Sequence, residues 1–494
     1  MSFDRISKSQ YLRGLQCPKA LWYYRHRPDL MPEAPDSRQA LFDAGHEVGH
    51  LAQQYFTGGV EITEPFHAVD QAIATTQTAV AGGVAVLYEA TAVSPDGAFS
   101  RIDILKKAPG GDRWDLIEVK MATGVKDYHL DDMALQRYAF TGAGYNIRKS
   151  ILMHINGRYV RSGGLNLQSL FTLENCTAEV KARMADVGEK VAALIQVINQ
   201  DQEPAVAPGD HCYTPFECDY TGHCLPPVPD DSICHFFPAG AKLKTLLDQN
   251  ITRISDIPDD LAMTTRQRIA VDAARTGRIY KDLKKIKAFL KTLTYPLYFL
   301  DYETVAPVVP LFNRTRPFQQ IPFQFSLHIQ HKKGGPLTHV EFLHTEKTDP
   351  RPELIRKLVS HCGNKGSVLV YNQAFESRIT DELGQAFAYF RPALSKIRGR
   401  MVDLLIPFRS RHLYHPDMKC SASLKSVLPA FVPDMSYDNL EIGDGGAAAH
   451  LYLNCLKDAI PAEEQQKIFD NLRLYCGQDT LAEVRLLEVM DGFV

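Results

Sequence analysis

Apolar positions along the chain fall into short dense runs, the mark of buried strands, and into longer stretches at helical spacing. The first dense pair, residues 99–105 and 114–119, flanks Pro109-Gly110-Gly111-Asp112, whose central glycines suit a two-residue primed turn. With Gly110-Gly111 as the loop, Asp103 falls opposite Glu118, and Lys120 shares the face of Glu118 by strand alternation. Ahead of this hairpin, residues 9–24 read as one helix carrying Cys17 and the aromatics Trp22, Tyr23 and Tyr24, and a second helix carries His46 and His50. Behind it come a helix over 129–138 with Gln136, a strand over 148–156 and a long amphipathic helix over 176–200.

Residues 240–294 read as all-helical. A second strand–helix region follows, with strands over 297–301, 323–330 and 340–344, a helix over 351–362, a strand over 367–371, a helix over 374–390, a strand over 401–405 and a helical tail over 462–491. Three strands followed by alternating helices and strands predict an α/β domain with a mixed sheet. The pattern therefore divides the chain into residues 1–235, a helical connector 236–294 and a domain 295–494, an α/β protein throughout.

Both α/β regions place charge where the pattern is apolar. Asp301 and Glu303 end a core strand on one face, and desolvating two carboxylates together is costly unless a divalent cation lies between them. A solvated strand end is the plain alternative. Asp103, Glu118 and Lys120 gather on one face of the hairpin between apolar neighbours. Two acids there bind a cation, while the lysine steadies the charge of an attacked phosphate or orients water. A cross-strand salt bridge is the plain alternative, but it leaves the apolar surroundings unexplained.

A formal charge of −3 over 494 residues excludes a uniformly basic surface, so nucleic-acid contact has to come from local stripes. Two exist: 275–291 holds seven basic residues and one acidic, and 391–425 holds eight and two. Solvated helix faces explain either stripe equally well. No window approaches the 18 or more apolar residues of a membrane span, and Met1-Ser2-Phe3-Asp4-Arg5 opens no signal-peptide core, so a cytoplasmic location is expected. Structural disulfides are rare there, which leaves the ten cysteines to explain. Cys212, Cys218 and Cys224 lie with five residues between neighbours in a loop containing Pro215 and Gly222, close enough to ligate a metal or cluster. Zinc normally shows closer cysteine pairs, so the spacing favours an iron–sulfur cluster, with zinc kept open by His211 and His223.

The N-terminal half resembles the RecB-type PD-(D/E)XK nucleases, and most of all the iron–sulfur branch found among CRISPR adaptation nucleases and AddB nucleases. Asp103 matches the lone aspartate of that fold, Glu118-Val119-Lys120 its Glu-x-Lys, and Gln136 the glutamine of the following helix. Cys17, Cys212, Cys218 and Cys224 match its pattern of one cysteine before the nuclease core and three after it. The resemblance implies a restriction-endonuclease-like core clamped by a [4Fe–4S] cluster, with Mg²⁺ or Mn²⁺ on Asp103 and Glu118. It further implies a metal-binding histidine on the preceding helix, for which His50 is the first choice and His46 the second.

The C-terminal half resembles the DnaQ-like exonucleases of the DEDDy type, which have an RNase H-like fold. Asp301-Tyr302-Glu303 matches the first motif, Asn372-Gln373-Ala374-Phe375-Glu376 the second with glutamate in place of aspartate, and Tyr475-Cys476-Gly477-Gln478-Asp479 the closing Tyr-x3-Asp. Residues four apart share a helix face, so Tyr475 and Asp479 look the same way. The resemblance implies Mg²⁺ or Mn²⁺ held by Asp301, Glu303, Glu376 and Asp479, with Tyr475 orienting water. The pairing of the two halves is similar to a two-domain bacterial nuclease family, including its loop at 316–324, where Arg314, Arg316 and Phe318 are expected to meet the substrate beside the Asp-x-Glu strand.

The expectation is a metal-dependent deoxyribonuclease with two active sites acting on single-stranded DNA or DNA ends, 3′→5′ at the second site, in repair, recombination or defence against foreign DNA. Two alternatives stand beside it: an RNA exonuclease, and a scaffold that grips nucleic-acid ends with one site inactive. No Gly-x4-Gly-Lys-Ser/Thr motif is present, so any unwinding belongs to a separate helicase or ATPase partner.

Overall fold

The hairpin around Gly110-Gly111 forms in the expected register, with Ile104 opposite Ile117 and Leu105 opposite Leu116. The computed structural model describes residues 4–32, 36–225, 228–237, 240–457 and 460–494. The ladder closes at Lys107 opposite Trp114, Ala108 N–H donates to Arg113 O at 2.8 Å, and Gly110 takes the left-handed φ of +75° that the turn requires. At the other end the backbone ladder stops at Ile104. There the Asp103 carboxylate takes over, accepting from Val119 N–H at 2.6 Å.

These strands belong to the first of two mixed α/β units, Met1–Pro227 with Pro307–Phe318. Its strands are β1 (Ile6–Ser7), β2 (Val60–Glu61), β3 (Val86–Val93), β4 (Ala98–Lys107), β5 (Trp114–Lys120), β6 (Ile147–Ile155) and β7 (Phe171–Asn175). They form one sheet in the order β2-β3-β4-β5-β6-β7, with β1 beside β4. The helix Asp127–Gly142 buries Leu130, Met133, Ala134 and Leu135 in one cluster with Leu152 of β6. That packing carries Gln136, itself fully buried, to the sheet.

Two long predicted helices are broken. The one over 9–24 is split into Lys8–Gln16 and Pro18–His26 by an extended Cys17 at φ −158°, because Pro18 disfavours helical geometry in the residue before it. The one over 176–200 is split into Thr177–Arg183 and Val187–Asn199 by a 3-10 turn at Met184–Asp186.

The second unit is Val228–Ala306 with Gln319–Val494, so the stretch expected as a separate connector is part of it. The physical reason is pairing: β8 (Tyr280–Lys281) adds to β14 (Leu413–Tyr414), and the neighbouring helix Leu283–Leu290 buries Ile286. The main sheet holds β9 (Leu297–Val305), β10 (Ile321–Gln330), β11 (Leu337–Leu343), β12 (Ser367–Val370) and β13 (Met401–Asp403), ordered β11-β10-β9-β12-β13. The first three are antiparallel neighbours, and β12 runs parallel to both β9 and β13. Leu300, Phe325, Leu327, Leu354 and Val370 are fully buried in its core, each contributing roughly 1.5–3 kcal/mol. Gly366 sits where β12 enters beside β9, at φ +86°, and an added Cβ would lie 1.9 Å from Pro296 O. Among the described residues, no helix is long and apolar enough to cross a membrane.

Candidate functional site

The hairpin and the helix Asp127–Gly142 build the first site. Glu118 is buried, and its Oε1 accepts from Lys120 Nζ at 2.6 Å and from Lys8 Nζ at 2.9 Å. Its Oε2 accepts from Gln136 Nε2 at 2.7 Å. Lys120 Nζ also donates to Asp132 Oδ2 at 2.7 Å, and Gln136 Nε2 reaches Asp132 Oδ1 at 3.1 Å. Burial works to raise the Glu118 pKa, but Lys120 and Lys8 outweigh it and hold the carboxyl far below its ordinary range. Asp103 goes the other way: burial, then the charge of Glu118, push it up to about 8. The two acids thus differ sharply, one held as a carboxylate and the other poised near neutrality.

Asp103, Glu118, Lys120 and Gln136 are therefore brought together as expected from sequence. Lys8 and Asp132 are additions. Asp132 had a signal, standing one helical turn before Gln136, whereas Lys8 lies far away in sequence and had none. His46 and His50 are exposed on the helix Asp36–Tyr55, which turns Val48 and Ala52 into the core with Ile104 and Ile117.

Cys17, Cys212, Cys218 and Cys224 line one small cavity, together with His211. His223 packs edge-to-face on Tyr23, 5.2 Å between centroids, and does not line that cavity. No three of the four thiols come within 4.8 Å of one another. Tetrahedral zinc with Zn–S bonds of about 2.3 Å would hold its sulfurs about 3.8 Å apart.

The second site is built on β9. Asp301 faces Ser326 and Glu303 faces Gln324 across the sheet. The long helix Ala462–Gly492 is stitched over them: Thr480 Oγ1 lies 2.6 Å from Ser326 Oγ and 2.8 Å from His328 Nδ1, and Gln324 Nε2 donates to Leu472 O at 2.9 Å. This fastening sets Tyr475, Cys476, Asp479 and Glu483 against the carboxylates. Ligand atoms of Asp301, Glu303 and Cys476 lie within 4.8 Å of one another, and no other such trio of His, Cys, Asp or Glu occurs among the described residues. Cys476 Sγ donates to Asp301 Oδ2 at 3.7 Å.

Glu376 enters from the first turn of the helix Gln373–Ala386, behind Asn372 in a left-handed conformation at φ +93°. Its Oε2 is buried and lacks a hydrogen-bond partner, as does Glu483 Oε2. Tyr437 O–H donates to Asp479 Oδ1, and the Lys425 ammonium lies 5.8 Å from the ring centroids of both Tyr437 and Tyr475. Two ionised carboxylates no more than 4.8 Å apart repel by at least about 3.5 kcal/mol at an effective dielectric of ~20. The side chains respond accordingly. Burial, then the charges of Asp479, Glu303 and Glu376, push Asp301 well above the carboxylate range. Burial, then Asp479, raises Glu303 to about 8, and burial raises Glu376 to about 8. Burial lifts Asp479 to about 6 against the pull of Tyr437 and Lys425. Carboxylates gathered in this way could hold a divalent cation, and Glu376 and Glu483 each keep one buried oxygen without a hydrogen-bond partner.

Asp301, Glu303, Glu376, Tyr475 and Asp479 all meet here, joined by Glu483, Cys476, Tyr437 and Lys425. Glu483 had a sequence signal, one turn beyond Asp479, and Cys476 lies inside the Tyr-x3-Asp stretch itself. Tyr437 and Lys425 come from remote segments. Arg314, Arg316 and Phe318 are exposed, and their loop folds with the first unit although it follows the Asp-x-Glu strand in the chain.

A family model described as a domain of unknown function (DUF2779) matches residues 298–423. The match takes in Asp301, Glu303 and Glu376 and ends before Tyr475 and Asp479. No curated protein matches the chain.

Proposed function

We propose that the chain is a metal-dependent nuclease with two active sites, acting on single-stranded DNA or DNA ends. The observation that carries this reading is the acidic cluster of Asp301, Glu303, Glu376 and Asp479, buried at Glu303 and Glu376 and half-buried at the two aspartates, with the Lys425 ammonium nearby and two orphaned carboxylate oxygens, on Glu376 and Glu483. The strand order β11-β10-β9-β12-β13 supports an RNase H-like reading of this unit, and the one-face geometry of Tyr475 and Asp479 supports DEDDy chemistry with 3′→5′ polarity.

Mg²⁺ or Mn²⁺ would be held by these carboxylates and would supply charge neutralisation and Lewis acidity for phosphodiester hydrolysis. The chain's own residues do the rest. Tyr475, a neutral phenol against Asp479, orients the water, and Lys425 balances the negative charge that gathers as the phosphate is attacked. In the first unit Lys120 plays the corresponding part, with its ammonium positioned by Glu118 and Asp132. There Asp103 and Glu118 are the candidate cation ligands, and the restriction-endonuclease-like reading rests on their pairing with Lys120 and Gln136.

The four cysteines line one cavity without any three of their sulfurs closing to within 4.8 Å, which supports a [4Fe–4S] cluster over tetrahedral zinc. A second reading, in which the first unit only grips nucleic acid, is favoured by the Glu118 site itself: Lys8 and Lys120 already neutralise the carboxylate without a cation.

The test is cleavage of end-labelled single-stranded DNA by protein purified without oxygen, with Mn²⁺, Mg²⁺ or chelator. Wild type is compared with Asp301→Ala, Glu118→Ala and the double variant. Each single change is expected to lower metal-dependent cleavage, and the double to abolish it. Full loss with Asp301→Ala alone would leave the first unit as a grip. No cleavage by wild type of DNA or of RNA under any metal would end the nuclease reading.

A further inference from the structure

Residues Pro307–Phe318, which join β9 to β10, fold with the first unit. Val308 and Val309 share a core cluster with Tyr88, Ile117 and Met153. The Arg161 guanidinium donates to the carbonyls of Pro310 and Leu311 at 2.8 and 2.9 Å, and its backbone exchanges hydrogen bonds with Arg314 and Thr315 at 2.9 and 3.0 Å. So firmly anchored, the loop ends on Phe318 at φ +59°, a left-handed conformation that a bulky residue avoids, held by Phe318 N–H donating to Pro307 O at 2.9 Å. Strain of this kind persists only where the surroundings over-determine it. Here it displays an aromatic ring that is 38% exposed.

The ring stands in the wall of an open groove of about 740 Å³, alongside Phe216, Tyr128, Lys126, Lys120 and Asp132. Phe216 is 49% exposed and meets Tyr128 edge-to-face at 4.7 Å, and Lys126 Nζ lies 5.7 Å from the Tyr128 ring centroid. Asp132 adds no free negative charge, being tied to Lys120 and Gln136. Half-exposed aromatic faces interleaved with ammonium groups are what a single strand requires: a π-surface for each base and a cation for the backbone. A duplex keeps its base faces covered. Lys120 belongs both to the groove and to the Glu118 site, so a strand lying in the groove brings a phosphate to that site.

We propose that this groove is a single-strand binding subsite of the first unit, in which bases stack on Phe318 and Phe216 and the backbone runs past Lys126 to Lys120. The assignment of the ligand as nucleic acid rests on the nuclease reading. A segment between two strands of the second unit thus supplies part of the first unit's substrate surface.

The test uses the full chain in chelator, so that nothing is cleaved, with labelled oligodeoxythymidine, oligouridine of equal length and a blunt duplex. Phe318→Ala and Phe216→Ala are expected to weaken single-strand binding between about fivefold and a hundredfold, with duplex binding unchanged. Phe318→Trp keeps the stacking surface and adds an indole to Trp22 and Trp114; it is expected to bind like wild type and to be quenched by the strand. Whichever polymer binds more tightly identifies the strand. Wild-type affinity in a folded Phe318→Ala protein, an equal loss on the duplex, or an unquenched indole in the tryptophan variant would overturn the proposal while leaving the nuclease reading intact. Failure of wild type to bind any strand would also overturn the subsite, the nuclease reading being decided separately by the cleavage assay.

Discussion

Glu483 stands one helical turn beyond Asp479 and turns its carboxylate into the same acidic cluster, 1% exposed and with Oε2 unpartnered. Burial, then Asp301, Glu376 and Asp479, push its pKa well above the usual range. The Tyr371 backbone amide is the donor that its carboxylate does have. The proposed cation site therefore has a fifth acid beyond the four that the sequence motifs point to. At a pH high enough to ionise the cluster, replacing Glu483 by Gln removes a repelling charge while keeping shape. In chelator, the variant is expected to melt higher than wild type, by about 2–4 °C for each kcal/mol relieved, and to gain less from Mn²⁺. A lower melting temperature in chelator would show that this carboxylate is held for structural reasons instead.

Proton and cation should compete for this cluster. Glu303 and Glu376 titrate near 8 in the folded chain against an ordinary value of 4.5. Between those values the folded state keeps protons that the unfolded state has released, so the stability of the metal-free protein falls as pH rises through that window and levels off outside it. A divalent cation replaces the protons, so its protection grows with pH. Melting curves at pH about 6 and about 8.5, with chelator and with Mn²⁺, are expected to show a fall with pH in the first case and a much smaller one in the second. Mn²⁺ protection that is equal at both pH values would refute a carboxylate cation site.

Protein purified without oxygen should be coloured, with about four iron and four sulfide per chain. Cys17→Ser is expected to lose most of both and to lower the melting temperature of the first unit, since Cys17 ties the break between two helices to the cavity formed with Cys212, Cys218 and Cys224. Stoichiometric zinc in a colourless protein would reject the cluster.

Gly366 offers a test of the fold rather than of the chemistry. Its φ of +86° and the 1.9 Å approach of an added Cβ to Pro296 O leave alanine without room. Gly366→Ala is expected to destabilise the second unit by more than the ~1 kcal/mol typical of ordinary substitutions, read as a lowered midpoint in urea. An unchanged midpoint would mean that β12 can shift against β9.

Much of this protein was legible in its sequence, for physical reasons that can be named. Side-chain alternation alone puts Asp301 beside Glu303, and the Gly110-Gly111 turn sets a register that places Glu118 and Lys120 where they are found. Helical periodicity does the same for Tyr475, Asp479 and, one turn on, Glu483. These are local rules, acting over a few residues through backbone geometry. What they could not determine is everything that depends on distant parts of the chain meeting. Lys8 reaches Glu118 and Tyr437 reaches Asp479 across separations that no periodicity encodes. The helical stretch after residue 240 is claimed by the second unit through a short strand pairing with Leu413–Tyr414. Most of all, the loop after Asp301 and Glu303 leaves its sequence neighbours. Val308, Val309 and the carbonyls of Pro310 and Leu311 find burial and hydrogen bonds in the first unit, and that energy, rather than chain order, decides where Phe318 is displayed.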